Sequence, residues 1–248
     1  MSKIGIILDQ GIEIQEEISR AKEHFLDSPY GKPSSRVITG SIRGKDAAVL
    51  FRHGNKGEIP AFQVNYKSNI FVFHEMKCTH VLATSVCGSL QEEIMTGEFV
   101  IFDQFINLTT HSELTYSDKL ALDTLNHSAF NKPFSDEIRD CLIEAAVVKG
   151  YTVHTKGSVL AVDGPRQSTR AESNLYRKWG ADVVNTTTAP EAILAHELGM
   201  HYGTLALCTY YDTWRTDIEP ATRTEKQEIF AAYSEKMGEL LLAAVEKI

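Results

Sequence analysis

The chain of 248 residues carries 33 acidic and 25 basic side chains, a formal net charge of −8, and is 43% hydrophobic. One α/β domain can account for that length, and the apolar share is that of a packed globular core. The basic residues are scattered rather than gathered in a stripe, which argues against nucleic acid or an acidic membrane as partner. No run approaches the roughly 20 apolar residues of a membrane span. The opening MSKIGIILDQG has too short an apolar run for a secretory signal, and Cys78, Cys87, Cys141 and Cys208 form no C-x-x-C pair. Both features predict a cytoplasmic protein with reduced thiols.

In chain order, residues 3–8 (KIGIIL) form a β-branched apolar run that predicts a buried strand. Residues 36–42 and 47–52 predict two more strands, joined by the turn Arg43-Gly44-Lys45-Asp46. Helical spacing runs from Val64 to Lys77. Thr79–Ser85 and Glu98–Phe102 read as strands. Asp136–Lys149 is amphipathic, with Ile138, Cys141, Leu142 and Ala145 on one face, and Gly150 suits the position just past its end. Residues 151–162 look strand-like. Ser168–Trp179 reads as a helix closed by Gly180, Val183-Val184 as a short strand, and Pro190–Leu198 as a helix stopped by Gly199. Residues 203–208 form a last strand and 224–247 a long terminal helix. This alternation predicts one α/β domain over 1–248, a central mixed sheet flanked by helices. The stretch 106–134 is too long for an idle loop and is expected to serve function or an interface.

Some apparent motifs fail. In His196-Glu197-Leu198-Gly199-Met200-His201 the histidines are five apart with a helix-stopping glycine between them, whereas a zinc helix needs four. Leu8-Asp9-Gln10-Gly11 lacks the spaced glycines of a dinucleotide loop. No Gly-x-Ser-x-Gly elbow occurs.

Five strings remain that core packing does not explain. Arg52-His53-Gly54 and Thr84-Ser85-Val86-Cys87-Gly88-Ser89-Leu90 each follow a predicted strand. Gly164-Pro165-Arg166 precedes a helix. Asn185-Thr186-Thr187-Thr188-Ala189-Pro190-Glu191 joins a strand to a helix, and Tyr210-Tyr211-Asp212-Thr213-Trp214 leaves the last strand. Outside the carboxyl ends of strands, an arginine, a histidine and hydroxyl-bearing loops suit a bound anion.

Taken in order, IGII, RHG, VNY-x-x-NI, CTHV, T-x-x-CGSL, DQFI, KPF, DGPR, RAES, WGADVVN-x-TT-x-PE and YD-x-W resemble the methylthioadenosine phosphorylases of the purine nucleoside phosphorylase superfamily. The resemblance spans nearly the whole chain. It implies a nucleoside-phosphorylase-like sheet, usually in a homotrimer. The implied substrates are a purine nucleoside and inorganic phosphate, with no metal or other cofactor, and the products are the free base and a sugar 1-phosphate. Such chemistry passes through an oxocarbenium-like state. It needs phosphate held under the sugar carbon and charge on the leaving purine stabilised.

Carried over by resemblance, Arg52, His53, Ser85, the Val86 amide and Thr187 are phosphate binders, and Gln10 lies in the loop that wraps phosphate. Thr186 stands at the ribose, normally a methionine. Cys87 and Gln167 stand at the base. Asp212 and Tyr210 occupy the positions of two base-facing aspartates and are the candidate catalytic residues. His127 lies where a neighbouring subunit lends a residue to the 5′ pocket.

The departures fall on ligand-facing positions. The first loop, usually Gly-Gly-Ser/Thr-Gly, is Leu8-Asp9-Gln10-Gly11. A histidine after Arg-His-Gly is Gly57, a phenylalanine is Gln167, and the aspartate that addresses purine N7 is Tyr210. Two alternatives to phosphorolysis follow: a nucleosidase in which Asp9 activates water, and a non-catalytic protein that binds an aromatic ligand in the cleft.

Overall fold

A computed structural model describes residues 3–248. The strands are β1 (Lys3–Leu8), β2 (Ser19–His24), β3 (Val37–Ile42), β4 (Lys45–Phe51), β5 (His80–Ser89), β6 (Phe99–Ile101), β7 (Gln104–Asn107), β8 (Val153–His154), β9 (Ser158–Ala161), β10 (Val183–Asn185) and β11 (His201–Tyr211). The helices are α1 (Tyr66–Glu75), α2 (Asp136–Lys149), α3 (Arg170–Lys178), α4 (Thr188–Glu197) and α5 (Arg223–Lys247).

One mixed sheet runs β2-β3-β4-β1-β5-β10-β9-β7, and β11 branches from β5 to carry β6 and then β8. β1 lies parallel to both β4 and β5. It is buried on both faces, which is why it reads as a continuous apolar run rather than an alternation. Ile4, Ile6 and Leu8 face a core shared with α2 and α5. Ile7 faces the opposite core, shared with α1 and α4. On that second face the Phe73 ring would stand 2.9 Å from a β-carbon at Gly5, so the glycine admits α1 close to the strand.

Helix boundaries follow the sequence signals. Ser135 caps α2, and Gly150 at φ 69° ends it in the left-handed region. Thr169 and Glu172 form a capping box on α3, as Thr222 and Glu225 do on α5. His196 closes α4 and His201 opens β11, so the zinc-like string is split across two elements.

Three expectations are corrected. β5 continues to Ser89, so Thr84–Ser89 is strand rather than a loop after one; its pairing with β10 and β11 prolongs it. Residues 151–162 break into β8 and β9 around Thr155–Gly157. β2 and β7 escaped prediction. SRAKEH in β2 is an edge strand with no buried residue, so it has no alternation to betray it, and QFIN in β7 is only four residues long. Beyond Asn107, the stretch to 134 holds turns and one 3₁₀ turn at Leu122–Thr124. Among the described residues no helix is long and apolar enough to cross a membrane.

Candidate active site

The carboxyl ends of β1 and β4 lie side by side, and the chain leaves them at Asp9 and Arg52. The Arg52 amide donates to the Leu8 carbonyl at 2.9 Å. The Asp9 amide donates to Thr84 Oγ1, also at 2.9 Å. The Arg52 side chain is 0% exposed. Its Nε and Nη2 donate to the Glu191 carboxylate at 2.6 and 3.1 Å, and its Nη1 donates to Asp9 Oδ1 at 2.7 Å. Glu191 sits in the first turn of α4 and also accepts from Tyr202 Oη at 2.7 Å. A guanidinium buried this deeply needs such partners, because desolvation alone would be prohibitive.

His53 lies 3.4 Å through Nε2 from the same Asp9 oxygen. Its Nδ1 is 2.8 Å from the Ile59 carbonyl, which can only accept, so Nδ1 carries a proton. Burial pushes the Asp9 pKa up, but Arg52 and His53 outweigh it and hold the carboxyl below its usual range. Burial likewise opposes the charge on Arg52, yet Glu191 and Asp9 fix it as a permanent cation. Arg52 and His53 are thus brought together as expected. They face a carboxylate of the chain itself rather than an open anion site. The other Asp9 oxygen, Oδ2, is buried and has no hydrogen-bond partner among the described residues.

Beside this cluster, Ser85 and Thr187 meet at 3.3 Å between hydroxyls, and Asn185 Nδ2 donates to Ser85 Oγ at 3.2 Å. Thr187 is the N-cap residue of α4 and makes no side-chain cap bond. The helix N-terminus therefore joins the two hydroxyls. Val86 is 38% exposed at the same level of β5. Gln10 is exposed and turned toward Gly57: a β-carbon there would lie 1.5 Å from Gln10 Oε1. The two loop departures are therefore complementary, with the glutamine occupying space at the position of the missing histidine.

A cleft of about 250 Å³ opens next to it. Phe62, the Gly164-Pro165 turn, Gln167, Thr186, Tyr210 and Lys226 are among its walls. Gln167, Thr186 and Tyr210 are thus in one place, as the sequence predicts. Lys226, from the first turn of α5, was not predicted. Its Nζ stands 3.9 Å from the centre of the Tyr210 ring. Asp212 is buried behind the cleft. Burial raises its pKa; the Ser168 and Ser173 hydroxyls, the Thr213 amide and Lys226 only partly oppose this. Neither of its oxygens has a partner at hydrogen-bond geometry among the described residues. Burial also raises the Tyr210 pKa, with Asp212 adding to it, so the phenol stays protonated.

Cys87 is buried in the core, paired in register with Cys208. His127 is exposed on the 108–135 segment and 3.1 Å from the Leu122 carbonyl. Neither side chain lines the cleft within this single chain. A more open groove of about 690 Å³ lies between Thr209–Tyr211 and α5, and of the expected site residues it touches only Tyr210. Its size does not make it the site, since the anion-binding groups are elsewhere. No metal-ligating cluster occurs among the described residues.

A mixed sheet with helices on both faces, a hydroxyl-lined helix N-terminus and a base-sized cleft at the strand ends define a nucleoside-phosphorylase type of α/β protein. Residues 3–246 match the phosphorylase superfamily model, and the chain belongs to that family. The S-methyl-5'-thioadenosine phosphorylase of Ciona intestinalis is 42% identical over 218 residues, 87% of this chain and 78% of its own length. That of Danio rerio is 38% identical over 248 residues, 99% and 89% respectively. The methylthioadenosine phosphorylase of Schistosoma mansoni in complex with adenine superposes with a TM-score of 0.91 at 33% identity, covering 99% of this chain and 91% of that one.

Glu191 and Tyr202 complete the Arg52 cluster and were not predicted as site residues. Glu191 carried one usable signal, an acidic residue in the otherwise apolar run APEAILA of α4. Tyr202 and Lys226 carried none.

Proposed function

We propose that the chain cleaves the N-glycosidic bond of a purine nucleoside of the methylthioadenosine type and transfers the sugar to inorganic phosphate. The observation that carries this is the Ser85–Thr187 hydroxyl pair at the N-terminus of α4, the helix whose Glu191 holds Arg52, next to the Gln167–Thr186–Tyr210 cleft. The relatives named for this activity, and the Schistosoma mansoni variant complexed with methylthioadenosine, support it.

In this reading a phosphate oxygen attacks C1′ while the C1′–N9 bond breaks. The bond pair goes to the purine, which takes up a proton. Phosphate binds on the Ser85 and Thr187 hydroxyls, the Val86 amide and the N-terminus of α4, and reaches Arg52 and His53 by displacing Asp9. Gln10 closes the loop over it. Thr186 contacts the ribose, and Tyr210 serves the base with Gln167 and the Cys87 backbone alongside and Asp212 buried behind them. The assembly is a homotrimer in which the 106–134 segment makes the contact and delivers His127 to a neighbour's 5′ pocket.

A second reading, hydrolysis, is favoured by the orphaned Oδ2 of Asp9. A permanently ionised carboxylate there can hold a water in place of phosphate. The test is base release from methylthioadenosine and methylthioinosine with and without phosphate. Release that requires phosphate supports phosphorolysis. Equal release in both supports hydrolysis. No release in either points to the non-catalytic binder.

A further inference from the structure

The geometry points to Lys226 as the group that reads the base, and to a preference for 6-oxopurine over adenine nucleosides in this cleft. The inference rests on the proposed nucleoside site and names the base for it.

The 6-position and N7 share one edge of the purine. In hypoxanthine or guanine that edge offers O6 and N7, two acceptors; in adenine it offers the N6 amino donor beside the N7 acceptor. An ammonium has three donors and no acceptor, so it satisfies the first edge and opposes the second. Lys226 sits at the end of the cleft where Tyr210 stands, held 3.9 Å over that ring. Tyr210, kept as a neutral phenol, lines the same wall and offers no negative charge to pair with the ammonium. The carboxylate that could accept from an adenine amino group, Asp212, is buried behind the cleft and is not among its lining side chains.

The same placement serves the chemistry. As the glycosidic bond breaks, negative charge grows on N7 and O6, and an ammonium within reach stabilises it more than the ground state. Burial lowers the Lys226 pKa, with Asp212 opposing, which brings the ammonium closer to a proton donor.

The experiment measures binding of hypoxanthine and adenine to the full-length protein by calorimetry, and cleavage of methylthioinosine and methylthioadenosine. Lys226→Met keeps the stem and removes the charge; Lys226→Arg keeps donors. We expect the wild type to favour hypoxanthine by about tenfold to a hundredfold, Lys226→Met to lose that preference, and Lys226→Arg to retain most of it. Preference for adenine, or a ratio unmoved in Lys226→Met, overturns the assignment. Adenine preference with turnover leaves the proposed activity standing. Hypoxanthine preference without turnover supports Lys226 and sinks the activity. Binding of neither base overturns both.

Discussion

The ring of Tyr210 covers the backbone of Gly88: a β-carbon on Gly88 would stand 2.4 Å from Tyr210 Cζ. The two residues are register partners on β11 and β5, just past a bulge that follows Cys208. Tyr210, which by resemblance stands where a base-facing aspartate is usual, is therefore packed onto Gly88 of the CGSL string, with the Lys226 ammonium 3.9 Å from the ring centre.

That arrangement predicts how the residue responds to change. A carboxylate introduced by Tyr210→Asp would pair with Lys226 instead of a purine, and would leave a void over Gly88. Tyr210→Asp alone is expected to gain little turnover of methylthioadenosine. The double change Tyr210→Asp with Lys226→Met should gain more than the two single changes combined, approaching the roughly 10²–10³ that one transition-state interaction is worth. A double-mutant cycle on kcat/KM at saturating phosphate measures it; additive singles would refute the coupling.

The Asp9 carboxylate competes with phosphate for Arg52. Asp9→Ser frees Nη1 while Glu191 still neutralises the guanidinium. Removing one unit of repulsion at ~4 Å is worth about 1–4 kcal/mol, so the KM for phosphate should fall by about fivefold or more. Thermal stability should drop without phosphate and recover when it is added. An unchanged KM would mean that phosphate never approaches Asp9.

Glu191 holds two of the three Arg52 contacts and the Tyr202 hydroxyl. Glu191→Ala leaves a buried cation with one partner, and we expect a loss of about 3–5 kcal/mol. Denaturant unfolding checks this. A loss under ~1 kcal/mol would show that water replaces the carboxylate.

The architecture was readable where a physical signal is local. β1 announces itself by an apolar run, α2 by its face and by Gly150, α4 by Pro190 and Gly199. Ser85 meets Thr187, and Arg52 and His53 both reach Asp9. What could not be read is contact between distant residues: Asp9 closing on Arg52, Gln10 occupying the space at Gly57, and Lys226 reaching Tyr210. Lys226 looks like any polar position of an amphipathic helix, and only the approach of α5 to β11 makes it part of the cleft.

The 106–134 segment leaves Leu122 62% exposed. We expect a trimer at micromolar concentration by light scattering, and Leu122→Asp to weaken it. A monomeric wild type would remove His127 from the site.

Asp212 is expected to trade stability for function. Burial raises its pKa in the folded chain, so folding favours the protonated form. The unfolded chain gives up that proton near the usual value, about 4. Stability should therefore fall as pH rises from that value through the raised folded pKa, and stay flat above it. Asp212→Asn removes the slope, with Ser168 and Ser173 near enough to receive the amide. At neutral pH the variant should be more stable by about 1–3 kcal/mol, the cost of an unpartnered buried polar group, and the gain should shrink below about pH 4. The charge that Asp212 sets near Lys226 is lost in the same variant, lowering kcat/KM. Urea unfolding across pH tests the first half and steady-state kinetics the second; a variant destabilised at neutral pH, or a gain that is the same at both pH values, would show that the Asp212 charge is already compensated.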